Sequence, residues 1–106
     1  MAIEAADIRP AVVVRSDLVD ELPYATVLPI TSELRPGISM RIEVAPLTGS
    51  GLRQPSQVMV DWPYTVRLSQ MAEAIGRLSD ETMRLIPRQL AVVLGIGEGI
   101  RRSRHS

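Results

Sequence analysis

Along this chain the spacing of apolar positions changes several times, and each spacing predicts an element. Arg9 to Val14 is a short β-branched run opened by Pro10 and reads as a buried strand. Ser16 to Glu21 is polar and turn-like. Tyr24 to Ile30 is a second strand, in which Pro29 predicts an edge position or a bulge. Glu33 to Gly37 carries turn residues. Ile38, Met40, Ile42 and Val44 then alternate with Ser39, Arg41 and Glu43, the cleanest period-two signal in the chain. That alternation predicts a strand with one face on the core.

Pro46 to Pro55 contains Thr48-Gly49-Ser50-Gly51 and reads as a loop. It is too short for a phosphate-binding P-loop, and no lysine follows it. Gln57 to Asp61 is a further short strand, which Tyr64 to Leu68 extends past Pro63. Ser69 to Ala74 reads as a helical turn and Ala74 to Leu78 as a return strand. Ser79 is a good helix N-cap, with Asp80 and Glu81 complementing the dipole in the first turn. The helix runs to about Leu94 and stops at Gly95. Met83, Ile86, Leu90, Val93 and Leu94 form its core-facing stripe, and Pro87 should kink or locally break it.

Five or six short strands followed by one helix predict a mainly β fold with α: a small, strongly curved antiparallel sheet or barrel. Residues 1–96 form one domain in this reading, and 97–106, with Arg101, Arg102 and Arg104, a disordered basic tail. At 106 residues the chain has room for one domain and not two.

Composition narrows the chemistry. The core is aliphatic, with no Phe, one Trp and two Tyr. Twelve basic residues, all Arg, balance twelve acidic ones, so a nucleic-acid site must be a local patch rather than a bulk excess. The absence of Cys excludes disulfides, thiol catalysis and cysteine zinc sites. The one His, His105, is next to the chain end, which leaves no Ser-His-Asp triad and no histidine metal cluster. No segment reaches the roughly 18–20 apolar residues of a membrane span. With no signal-peptide pattern, a cytoplasmic location is the default expectation.

What remains is Arg9-Pro10-Ala11-Val12-Val13-Val14 and, some twenty residues on, Leu28-Pro29-Ile30-Thr31-Ser32. If the two strands pair, a guanidinium and a hydroxyl meet at one rim of the sheet. A guanidinium is a permanent, planar phosphate ligand, and a hydroxyl beside it can bond a phosphate or a ribose. These motifs, with Gln57-Val58-Met59-Val60-Asp61, Ile75-Gly76-Arg77-Leu78-Ser79-Asp80-Glu81 and the ending Leu90 to Gly95, resemble the MazF/PemK toxin family in order and spacing, over about residues 4–96.

The resemblance implies an SH3-like barrel with an appended helix, acting as a homodimer. It also implies metal-independent cleavage of single-stranded RNA, no cofactor, and inhibition by a cognate antitoxin. By the same resemblance Arg9 occupies the catalytic arginine position and Thr31 the catalytic threonine position. Ser32 follows the threonine as in many relatives, and Asp61 and Trp62 fall where relatives contact RNA. Trp62 or Tyr24 would stack an unpaired base.

The family pattern opens with an Arg-Gly-Asp-type strand and a Gly-Ser-Glu-Gln-like loop. Only eight residues precede Arg9, Glu4 is the sole trace of that loop, and the opening strand is expected to be absent. Other readings stay open at this point. Arg9 caps a strand, Thr31 holds a turn backbone, and Trp62 anchors a core or a dimer. The whole chain is then a gyrase poison of the CcdB type or a non-catalytic SH3-like module.

Overall fold

The computed structural model describes residues 2–4, 8–15, 18, 21–37, 40–46, 51–71 and 76–97, of which 2–4, 8 and 9 are described in backbone only. Ile38 and Ser39, the Thr48–Ser50 part of the central loop, residues 72–75 and the tail beyond Gly97 lie outside the described residues. Among the described residues there are six strands: β1 (Ala2–Glu4), β2 (Ile8–Val13), β3 (Tyr24–Thr31), β4 (Arg41–Val44), β5 (Ser56–Met59) and β6 (Tyr64–Arg67). The 3₁₀ turn Leu68–Gln70 and the helix α1 (Asp80–Leu94) follow.

All pairings are antiparallel, in the order β1-β2-β3-β5-β4, with β6 also on β3. The mainly β fold with a terminal helix is therefore the one expected. Two details differ from expectation. An opening strand is present: β1 pairs with β2 through Ile3↔Arg9. Three residues are too few to show any periodicity, so only pairing defines it. Gly76–Leu78 belongs to no strand, although Leu78 still packs on the core.

β3 lies at the centre of the sheet, not at its edge, and its first half pairs with β6 (Val27↔Tyr64) while its end pairs with β5 (Ile30↔Val58). Pro29 falls between those two pairings. Thr26 turns its carbonyl to β2, where it accepts from the Val14 amide at 2.9 Å. In antiparallel strands successive residues bond to opposite sides, so the position of Pro29 faces the gap between β6 and β5. There a missing N–H removes no ladder bond.

The sheet has two buried faces. On one, Val12, Leu28, Ile30, Ile42, Val44, Val58 and Val60 close over Ile86 of α1, with Leu90 and Val93 packed alongside. On the other, Ala11, Val27 and Val66 form a smaller cluster with Val13 and Met71.

Ser79 caps α1 as expected: its Oγ accepts from the Thr82 amide at 3.2 Å, and Gly95 ends the helix in the left-handed region at φ 72°. The stripe is narrower than expected. Met83 and Leu94 are 40% and 55% exposed, so they stand off the core that Ile86, Leu90 and Val93 share with buried Thr82. Pro87 does not break α1, which runs unbroken from Asp80 to Leu94. Pro87 is exposed, and water on that side can take the Met83 carbonyl that loses its donor.

Candidate active site

The β3 end that carries Thr31 opens into a cleft of about 270 Å³, lined by Pro29, Ile30, Thr31, Glu33, Arg35, Arg41, Met59 and Tyr64. Strand alternation builds it. Ile30, Ile42 and Val58 point into the helix-side core, so the residues between them on β3, β4 and β5 take the opposite face. Thr31↔Gln57 and Arg41↔Met59 are the paired positions there.

Thr31 Oγ1 accepts from the Glu33 amide at 3.0 Å. This is the turn-holding role of a threonine at a strand end. It uses one lone pair and leaves the hydroxyl hydrogen and a second lone pair for a ligand. Holding the turn and contacting a substrate are therefore compatible.

Gln57 lies beneath that turn and is only 3% exposed. Its Oε1 accepts from the Arg35 amide at 3.1 Å and from Arg41 Nη1 at 3.3 Å. Arg41 Nη1 also reaches the Glu33 carbonyl at 3.4 Å. Arg35 Nη2 meets Glu33 Oε1 at 3.3 Å, an exposed ion pair worth at most about 1 kcal/mol. The cleft therefore holds two guanidinium groups against one carboxylate in a chain whose formal charge is zero.

The six residues singled out by sequence are dispersed unevenly around this cleft. Thr31 lines it. Ser32 is exposed on the turn that Thr31 holds. Asp61 and Trp62 lie on the turn joining two cleft residues, Met59 and Tyr64; the turn closes with the Trp62 amide on the Met59 carbonyl at 3.2 Å. Trp62 is 63% exposed, so it is no core anchor.

Tyr24 starts β3, seven residues from Thr31, roughly 23 Å at strand spacing. It is not a cleft residue. Arg9 is described in backbone only. The β2–β3 register runs Val13↔Val27, Val12↔Leu28, Ala11↔Pro29, and two further steps along each strand lie Arg9 and Thr31. Arg9 and Thr31 thus occupy matching positions at one end of adjacent strands.

Sequence reasoning missed Arg35, Arg41, Gln57 and Tyr64 as site residues. Arg41 carried a signal, since it lies on the polar phase of the alternating strand. Gln57 carried none: the loop that buries it crosses from 22 residues away.

The model of the PemK-like, MazF-like toxins of type II toxin–antitoxin systems matches residues 2–94. This chain belongs to that family. A probable endoribonuclease MazF of Mycolicibacterium smegmatis is 33% identical over 88 residues, covering 83% of this chain and 81% of the relative. Among solved structures, the Mycobacterium tuberculosis toxin MazF-mt6 superposes with a TM-score of 0.76 at 24% identity, over 89% of this chain and 93% of that one. A mycobacterial endoribonuclease in complex with its cognate antitoxin gives 0.75 at 18% identity, over 90% and 89%. These two likenesses bear on the fold. With the family match they favour a MazF-type toxin over a gyrase poison or a non-catalytic module. No helix among the described residues is long and apolar enough to cross a membrane.

Proposed function

We propose that this toxin is an endoribonuclease that cuts single-stranded RNA by attack of a ribose 2′-OH on the adjacent phosphorus. The observation that carries the reading is the Thr31 hydroxyl in a cleft with surplus positive charge, with Arg9 at the matching position of the neighbouring strand. The O2′–P bond forms as the P–O5′ bond breaks. One proton leaves the 2′-OH and one reaches O5′. The ribose supplies its own nucleophile, so the protein has to orient the 2′-OH and offset charge on the phosphorane.

Arg9 clamps the phosphate and offsets that charge. Thr31 donates its free hydroxyl hydrogen to a non-bridging oxygen, or accepts from the attacking 2′-OH. This division of labour calls for no metal and no cofactor. Ser32, Asp61 and Trp62 contact nucleotides flanking the cut. Tyr24 has a place only where RNA continues beyond the cleft along β3.

The working unit in this reading is a homodimer, with RNA in the groove between copies and a cognate antitoxin occupying that surface to silence it. An RNA substrate places the protein in the cytoplasm.

The test is incubation of the purified protein with long single-stranded RNA in EDTA, repeated with Arg9→Ala and Thr31→Ala. Metal-independent cuts that both substitutions abolish support the reading. Intact RNA together with inhibited gyrase would replace it with the gyrase-poison reading.

A further inference from the structure

We propose that Gln57 is a positioning residue that presents Arg41 to RNA as a second phosphate ligand beside Thr31; the inference rests on the ribonuclease reading above. A buried glutamine is uncommon in a strand and needs a reason. Here Gln57 is the register partner of Thr31, and its Oε1 receives both the Arg35 amide and Arg41 Nη1. One carboxamide oxygen therefore fixes both the turn under the hydroxyl and the guanidinium of the neighbouring strand β4.

The condition of Arg41 is what points to a ligand. Its two hydrogen bonds both use Nη1, and both go to neutral oxygens, of Gln57 and of the Glu33 backbone. Nε is buried without a partner, and among the described residues Nη2 has none. The nearby carboxylate of Glu33 is taken by Arg35. Glu43, on the same face of β4, makes no bond to Arg41. A half-buried guanidinium with no counter-ion is costly to keep, and with Nη1 engaged and Nε buried, its Nη2 N–H groups are left to donate to a phosphate oxygen.

Glutamine suits this task for an electrostatic reason. Its oxygen orients the guanidinium and carries no net charge, so the full positive charge stays available. A glutamate of the same length would keep the acceptor and cancel the charge. That difference makes the proposal testable, because a purely structural role needs the acceptor alone.

The probe is a mixed-sequence single-stranded RNA with 2′-O-methyl groups throughout, which cannot undergo 2′-OH attack. Affinity is measured against salt from about 50 to 300 mM, beside cleavage of unmodified RNA and thermal melting. One phosphate contact on a single strand contributes about 0.7 to the slope of log affinity against log salt. Arg41→Met is expected to lower the slope by about that amount and weaken binding about tenfold. Arg41→Lys should restore the slope and only part of the affinity, because an ammonium on a flexible stem is not held in direction as the planar guanidinium on Gln57 is. Gln57→Glu should lose the same slope increment with no fall in melting temperature. Gln57→Met, which keeps volume and loses the acceptor, should raise KM several-fold.

Wild-type slopes in both Arg41→Met and Gln57→Glu, in a protein that binds and cuts RNA, would overturn this inference and leave the ribonuclease reading intact. A wild-type protein that neither binds the probe nor cuts RNA would overturn both.

Discussion

Ile86 is the apolar side chain of α1 most deeply set in the sheet, at 2% exposure among Val12, Leu28, Ile30, Ile42, Val44, Val58 and Val60. Thr31 and Arg41 occupy the other face. Truncating Ile86 should therefore reduce stability without touching the cleft. Ile86→Ala removes three carbons, about 2.4 kcal/mol at roughly 0.8 kcal/mol per methylene, and the residual cavity raises this to about 3–4 kcal/mol. Ile86→Val removes one carbon and should cost about 1 kcal/mol. Domains of this size hold about 5–15 kcal/mol, so the alanine variant still folds in the cold while its melting point falls by roughly 15–25 °C. Urea titration should show the midpoint moving with the slope unchanged. At a temperature where all three proteins are folded, RNA cleavage should agree within about twofold. A loss below ~1 kcal/mol for Ile86→Ala would refute the docking of α1 through this residue. Impaired cleavage by the fully folded variant would refute the separation of the two faces.

Three further outcomes are expected. Gly95→Ala should cost about 1 kcal/mol in urea titration: a Cβ there meets nothing within 4 Å, so the penalty comes from the left-handed φ of 72° alone, and Gly95→Asn should recover part of it. Thr31→Val loses the acceptor for the Glu33 amide and should cost about 1 kcal/mol, since that exposed amide can turn to water, whereas cleavage should fall by about a hundredfold; Thr31→Ser should preserve both in parallel melting and cleavage assays. Tyr64→Ala should weaken binding of the 2′-O-methyl RNA about tenfold and Tyr64→Phe should not, because the ring lines the cleft and a stacked base needs only its face.

Elements whose signal is local were legible in the sequence. The alternation through Arg41–Val44 became β4, and the pair of Ser79 before α1 and Gly95 after it marks where the helix begins and ends. Where tertiary pairing decides, the pattern misled. β1 exists only because β2 pairs with it. Pro29 argued for an edge or a bulge, and the sheet accommodates it away from the edge, where β3 changes partners. The helix is apolar over too wide an arc to fix its phase: Leu85 and Val92 are exposed along with Met83 and Leu94. In the candidate site, the place of Thr31 at the cleft was legible from the hydroxyls that end an apolar strand. The Gln57–Arg41 unit was not. It forms when the turn after Thr31 folds over β5, and no spacing along the chain records that crossing.

The charge balance of the chain constrains how such a protein can hold RNA. With equal numbers of acidic and basic residues, there is no long-range field to gather a polyanion. The electrostatic part of binding has to come from a few guanidinium groups kept free of their own carboxylates. The cleft does this unequally, because Glu33 neutralises Arg35 and spares Arg41. If Arg9 and Arg41 are the two phosphate ligands of each copy, the salt slope per copy is about −1.4, far shallower than that of a basic RNA-binding domain. Weak dependence on salt combined with sensitivity to single arginines is the signature of a grip set by placement. In that regime a neutral buried amide that fixes the direction of one guanidinium adds to the grip without drawing on its charge.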